Sequence, residues 1–282
     1  MRSKKIVLWV LVLLTLGLAS CMKSVDNQDE IKVTENDNTI LKYLSDSIKA
    51  VKDPSGYYYL KRKTNAVGDT AKLGDAATVK LTGYIINDNG TASTVAVTSD
   101  TVSFPVGAGT LIYGVELGIG KVRTGEKISL FLPYYLAFGN SARTNIPAYS
   151  AIRMEMEFIK TRNEVQQIND YIAKKKFTVY ERTTDNLVII RTDTSKAVGI
   201  GAGKSVTVKY VGRFLDDTKF DEGSFPMTTG TGSVITGFDQ AVQRLPAKGK
   251  AIVVFPSALG YKAAGSSSIP PYSPLMFELE LQ

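Results

Sequence analysis

The chain has 282 residues, 44% hydrophobic and 22% charged, a balance that excludes global disorder and allows about two domains. A formal net charge of +7, dispersed along the chain, is too mild to argue for a nucleic-acid partner. There is no His and only one Cys, which removes the His-assisted Ser or Cys nucleophile, His-based zinc sites and any disulfide within the chain.

At the N-terminus, Arg2, Lys4 and Lys5 precede a charge-free run over 6–19, dominated by Leu and Val. The run is too short to cross a bilayer comfortably and has the length of a signal-peptide core. It ends in Leu18-Ala19-Ser20-Cys21, which resembles the bacterial lipobox. That resemblance implies removal of residues 1–20, a diacylglyceryl thioether on Cys21 and an acyl chain on the new amine. Several acyl chains hold a membrane far more firmly than one. The expected location is therefore the bacterial cell envelope, lipid-anchored, at the outer membrane on its periplasmic or surface face. A plain secretory signal with an incidental Cys is the alternative. Loss of three basic residues with the signal leaves a net charge of about +4. Residues 21–38 carry Asp26, Asp29, Glu30, Glu35 and Asp37 and read as a polar tether that stays solvated.

From residue 39 onward the chain repeats itself with a period of 123 to 129. Residues 74–83 mirror 203–212, 109–114 mirror 232–237, 133–138 mirror 256–261, and 145–150 mirror 268–273. So long a period means duplicated domains, here 39–162 and 163–282, not a solenoid. Each unit opens with an amphipathic helix, with Ile40, Tyr43, Leu44 and Ile48 in the first and Val165, Ile168, Tyr171 and Ile172 in the second. Whether each helix packs on its own unit or its neighbour stays open at this stage. A strand follows each helix, at 57–61 and 187–191. Within the bodies, period-two alternation dominates: Val206, Val208 and Tyr210 share one face, as do Phe277, Leu279 and Leu281. The one convincing internal helix is 237–243. The expected fold class is α+β, an antiparallel sheet curved around a short helix in each of two tandem units. Lys174-Lys175-Lys176 reads as a solvated helix end. Residues 199–205 imitate a phosphate loop but lack its spacing, with Val198 where a Gly is needed, and they run into a strand.

The second unit carries five ordered motifs: 204–214 with a mid-strand Tyr, 218–227 with Phe220-Asp221, 232–242 with Val234-Ile235-Thr236-Gly237-Phe238, 255–261 ending in Tyr261, and 267–281 with Ile269-Pro270-Pro271 before a final strand. In order and spacing they resemble an FKBP-type peptidyl-prolyl cis–trans isomerase domain over about 80 residues. The resemblance implies rotation about X–Pro bonds in unfolded or exported polypeptides, with no cofactor and no metal, and it extends to a macrolide ligand. It further implies Tyr210, Asp221 and Tyr261 as the polar groups of the site. Phe220 would pack behind them and Phe225 would be a pocket aromatic. Val234 and Ile235 would line the side, Phe238 the floor, and Ile269 and Phe277 the rim. For Val234, Phe238 and Phe277 a core role is expected as well, since the pocket is one edge of the core. Two departures touch the rim. Only three residues separate Asp221 from Phe225, so the bulge common in relatives is shortened. Lys262 stands where a Gly usually follows the Tyr, so the turn there is expected to differ.

The first unit departs further. Tyr210 becomes Leu81, Asp221 becomes about Thr98, Phe225 becomes Val102, Phe238 becomes Val115, Tyr261 becomes Phe138 and Phe277 becomes Met154. Both hydroxyls and the carboxylate are lost, so this unit is expected to be a degenerate copy with little or no isomerase activity. A non-enzymatic peptide-binding or chaperone lipoprotein, and a scaffold component of a surface assembly, are the alternatives to an isomerase.

Overall fold

The computed structural model describes residues 28–45, 47–193 and 197–282. The signal segment, Cys21 and the first part of the expected tether lie outside them. Among the described residues no helix is long and apolar enough to cross a membrane.

The first unit comprises α1 (Gln28–Leu44), β1 (Val51–Lys52), β2 (Tyr58–Lys63), β3 (Ala76–Ile86), β4 (Ala92–Pro105), α2 (Tyr113–Ile119), β5 (Lys127–Leu132) and β6 (Ile152–Arg162). The second comprises α3 (Glu164–Lys175), β7 (Glu181–Arg182), β8 (Val188–Arg191), β9 (Ser205–Phe214), β10 (Lys219–Thr228), α4 (Thr236–Arg244), β11 (Lys250–Phe255) and β12 (Leu275–Leu281). The first sheet has the order β1-β2-β5-β6-β3-β4. The second, read from its β7 edge, is β7-β8-β11-β12-β9-β10. Adding six to each strand number converts one into the other, so the repeat extends to topology. Every strand pair is antiparallel.

Successive side chains on a strand face opposite sides, and in the inner strands both sides are buried. In β11, Val253 and Phe255 enter the core that holds α4, while Val254 enters a second cluster with Ile168 and Tyr171 of α3. In β12, Phe277 and Leu275 take the first side and Met276 the second. The first unit does the same: Leu130 and Leu132 pack with Val115 of α2, whereas Phe131 meets Ile40 and Leu44 of α1. Each opening helix thus packs on the outer face of its own sheet. Its short partner helix fills the inner face.

One boundary needs correcting. Residues 28–38 are not a solvated tether, because α1 already runs from Gln28. Asn36 is buried within it; its Oδ1 accepts from the Tyr134 amide at 2.9 Å and its Nδ2 donates to the Tyr149 carbonyl at 2.9 Å. Acidic residues such as Asp29 and Glu30 in the first turn suit the positive end of the helix dipole, which makes helix and acidic tether alike in composition. The Lys174-Lys175-Lys176 run is a helix end, with Lys176 as the left-handed C-cap at φ 56°. Lys175 there pairs with Asp217 at 2.7 Å. Residues 199–204 form a loop leading into β9.

Candidate active site

Five elements of the second unit converge on one cavity of about 510 Å³. Its walls are Tyr210 from β9, Phe220, Asp221 and Phe225 from β10, Ser233, Val234, Ile235 and Phe238 at the start of α4, Tyr261, and Phe277 from β12. Phe220 and Asp221 are sequence neighbours, yet both face the cavity. A regular strand forbids this. The register shift between Lys219 and Asp221 permits it, since Asp221 pairs with Gly212 and Phe220 is the extra residue of a bulge. The bulge therefore persists despite the short spacing to Phe225.

The base of the cavity is an aromatic box. Tyr210 meets Phe238 edge-on at 5.7 Å and Phe225 at 5.8 Å, and Phe238 meets Phe277 edge-on at 5.4 Å. Edge-to-face pairs of this kind bring the positive ring edge to the negative face. Two glycines make room for the box. A Cβ on Gly212 would sit 2.6 Å from Phe220, and one on Gly237 would sit 2.7 Å from Phe255, so α4 can approach β11 only with Gly there.

The polar groups are few and fixed. The Tyr210 hydroxyl donates to Asp221 Oδ2 at 2.7 Å, and the Glu222 amide donates to Asp221 Oδ1 at 2.9 Å. Burial, and secondarily the Asp221 hydrogen bond, push the Tyr210 hydroxyl up to about 12. Tyr210 therefore stays a neutral donor at any physiological pH. No group of three or more acidic or Cys side chains that could hold a metal occurs among the described residues.

Nine of the residues expected at the site line this cavity, and the tenth, Ile269, does not. Ile269 is only 3% exposed and packs in the core behind the cavity, because its own amide and carbonyl close a tight turn with Ser266 and turn the side chain inward. Phe277 lines the cavity from its base and is not a rim residue. At 4% exposed it touches Tyr210, Phe220, Phe238 and Phe255. Ser233 lines the cavity without having been expected, since a small polar residue before Val234 carries no chemical signal of its own. The turn after Tyr261 matches the corresponding turn of the first unit. Lys262 adopts φ 57°, with its amide on the Ser257 carbonyl and its carbonyl accepting from the Tyr272 amide. Its counterpart Gly139 has φ 83° and the same two bonds, to Tyr134 and from Tyr149. A Cβ on Gly139 would meet nothing within 4 Å, which explains why a Lys side chain fits at the matching place.

The first unit has no such box. Leu81, Val115 and Met154 are buried in one core cluster, with Val102 and Phe138 packed against it. The Arg143 guanidinium lies 5.5 Å from the Phe138 ring centre. Strand register amends one correspondence. Thr98 pairs with Thr82, the counterpart of Val211, and so stands in the place of Glu222. The place of Asp221, opposite Gly83, falls in the irregular pairing between Thr98 and Thr94.

The sequence profile described as "FKBP-type peptidyl-prolyl cis-trans isomerase" matches residues 68–159 and again 198–282. The chain belongs to this family. A Neisseria meningitidis serogroup C protein named FK506-binding protein is 40% identical over 85 residues, 28% of this chain and 78% of that protein. Human peptidyl-prolyl cis-trans isomerase FKBP9 is 25% identical over 182 residues, which is 62% of this chain but only 29% of the human one. Among solved structures, the three FKBP domains of wheat FKBP73 align over 81% of this chain and 94% of that chain, at 22% identity and a TM-score of 0.40.

Proposed function

We propose that residues 163–282 form a peptidyl-prolyl cis–trans isomerase unit of a lipid-anchored envelope protein, acting on X–Pro bonds of exported polypeptides. The observation that carries this reading is the aromatic cavity with Tyr210 and Asp221 hydrogen-bonded at its wall and Tyr261 beside them.

Rotation about an amide bond faces a barrier of about 18–20 kcal/mol from resonance. No bond is made or broken, so no nucleophile, metal or strong base is needed. What accelerates the rotation is tighter binding of the twisted amide than of either planar form. In the twisted state the carbonyl carries less negative charge, so an apolar cavity favours it over the planar amide. Phe225, Phe238 and Phe277 supply that surface for the proline ring. The Tyr261 hydroxyl and the Ile235 amide hold the flanking peptide. Tyr210 and Asp221 satisfy one another, which keeps a polar wall in place without leaving an unpaired group beside the ring. A macrolide with a proline-like ring would compete for the same surface.

The anchor rests on Arg2, Lys4, Lys5, the apolar run and Cys21, and the client class follows from it. Uncatalysed X–Pro isomerisation takes tens to hundreds of seconds. A catalyst that needs no ATP suits the compartment outside the inner membrane. The first unit is read as non-catalytic, a binding or spacing module, because Phe138 replaces Tyr261 and an Arg cation already covers its ring.

The test is relaxation of an X–Pro peptide by residues 22–282. We expect acceleration by the wild type and roughly a tenfold lower kcat/KM for Tyr261→Phe and for Asp221→Ala, about 1.4 kcal/mol of lost transition-state binding. Peptide binding without acceleration would leave a binding module. Metabolic labelling with palmitate tests the anchor: the full chain should incorporate label and Cys21→Ser should not.

A further inference from the structure

Tyr261 owes its place to a short segment. β11 ends at Phe255, Pro256 follows, and a 3-10 turn over Ser257–Leu259 leads through Gly260 to Tyr261. The Ser257 carbonyl accepts from the Gly260 amide at 2.8 Å and from the Lys262 amide at 2.9 Å, so both neighbours of Tyr261 hang on one residue. Ser257 is itself 4% exposed. Its amide, at the open end of the turn, has no partner within the turn. Glu164, the first residue of α3, supplies one. One carboxylate oxygen accepts the Ser257 amide, and the other accepts the Ser257 hydroxyl at 2.7 Å. Burial pushes the Glu164 carboxyl up, and the two Ser257 bonds oppose that shift.

The first unit builds the same joint with a different side chain. Asn36 lies four residues before Ile40, as Glu164 lies four before Ile168, and each Ile is fully buried under its sheet. Asn36 Oδ1 accepts the Tyr134 amide, and Tyr134 occupies the place of Ser257, directly after Pro133. The joint thus occurs twice, with a neutral amide where the cleft is degenerate and a carboxylate where the aromatic box is intact. Both helices lie outside the segments matched by the family profile.

We infer that Glu164 is a positioning residue for the isomerase site, holding Tyr261 at the cavity through Ser257. This rests on the proposed isomerase reading of the second unit. The helix before the sheet thereby becomes part of the site: α3 fixes the turn, and the turn fixes the hydroxyl that meets the peptide.

The experiment is a double-mutant comparison in the mature chain, following relaxation of an X–Pro peptide. Glu164→Ala should lower kcat/KM about tenfold in the wild type and less than twofold in a Tyr261→Phe background, since the group it positions is already gone. Glu164→Gln keeps an acceptor for the Ser257 amide and should restore activity to within about threefold. If Glu164→Ala does not fold, Ser257→Ala reads the same coupling, because it removes only the hydroxyl bond. It should give a smaller loss that again vanishes in Tyr261→Phe. Equal losses in both backgrounds would reduce Glu164 to a structural role and overturn the inference, as would no loss at all. A wild-type chain without activity would instead sink the isomerase reading itself.

Discussion

Gly212 pairs with Asp221 across β9 and β10, and its missing side chain is what lets Phe220 and Phe277 close beneath the cavity. Gly212→Ala places a Cβ 2.6 Å from Phe220 and 2.9 Å from Phe277. Both rings must then move, and overpacking of this kind costs about 1–3 kcal/mol. We expect a lower melting temperature together with reduced isomerisation, measurable on the same sample. Tyr210 gives a pH prediction. Its folded pKa, pushed up to about 12, lies above the ordinary tyrosine value, so the folded state holds this proton more tightly than the unfolded chain. The associated stability is fully present below about pH 10 and is lost as pH rises through about 12. Denaturant titrations at stepped pH should show a decline in that window that Tyr210→Phe flattens. Between pH 7 and pH 9 the Tyr210–Asp221 bond stays intact, so this pair should impose no change on kcat/KM.

At the level of elements, each opening helix is held by an apolar stripe and by polar contacts, among them the joint to the 3-10 turn. Removing the joint in the first unit, Asn36→Ala, leaves the Tyr134 amide without its acceptor in a buried place. An orphaned buried donor costs about 1–3 kcal/mol. We expect Asn36→Ala to destabilise the first unit by that amount, read as faster hydrogen exchange of the Tyr134 amide and of β2. Ile168→Ala tests the apolar half of the same design in the second unit. Ile168 is fully buried against Val188, Val254 and Met276, and an Ile→Ala change there should cost about 2–5 kcal/mol. The helices themselves were legible from their spacing of Ile and Tyr. The bounds of α1 were not: acidic residues that suit a solvated tether suit its first turn equally well, and Ile48, expected on the helix, lies beyond its end at Leu44.

For the whole molecule, the two sheets have separate cores that share no residue. A cavity made in one should therefore leave the other's chemistry alone. Leu81→Ala should destabilise the first unit by about 2–5 kcal/mol while kcat/KM on a short X–Pro peptide changes less than twofold. A large loss of activity in this variant would tie the first unit to catalysis and contradict its reading as a non-catalytic module.

Repetition of motifs carries the duplicated α+β architecture in the sequence itself, because apolar alternation and turn residues report local structure directly. Tyr210, Asp221, Phe225, Phe238 and Tyr261 were legible only through the family resemblance of their motifs, and they meet at one cavity. What depended on tertiary structure were the places where distant segments meet. Ile269 turns inward because its loop closes on Ser266, Phe277 sits at the base because three strands and α4 surround it, and Lys262 is held at a positive φ by the bonds of its amide to the Ser257 carbonyl and of its carbonyl to the Tyr272 amide. The clearest case is Glu164, 93 residues from Ser257 in the chain and hydrogen-bonded to it in the fold. Nothing in a linear pattern marks such a pair, since its energy comes from a buried amide that only the folded chain brings within reach of a carboxylate.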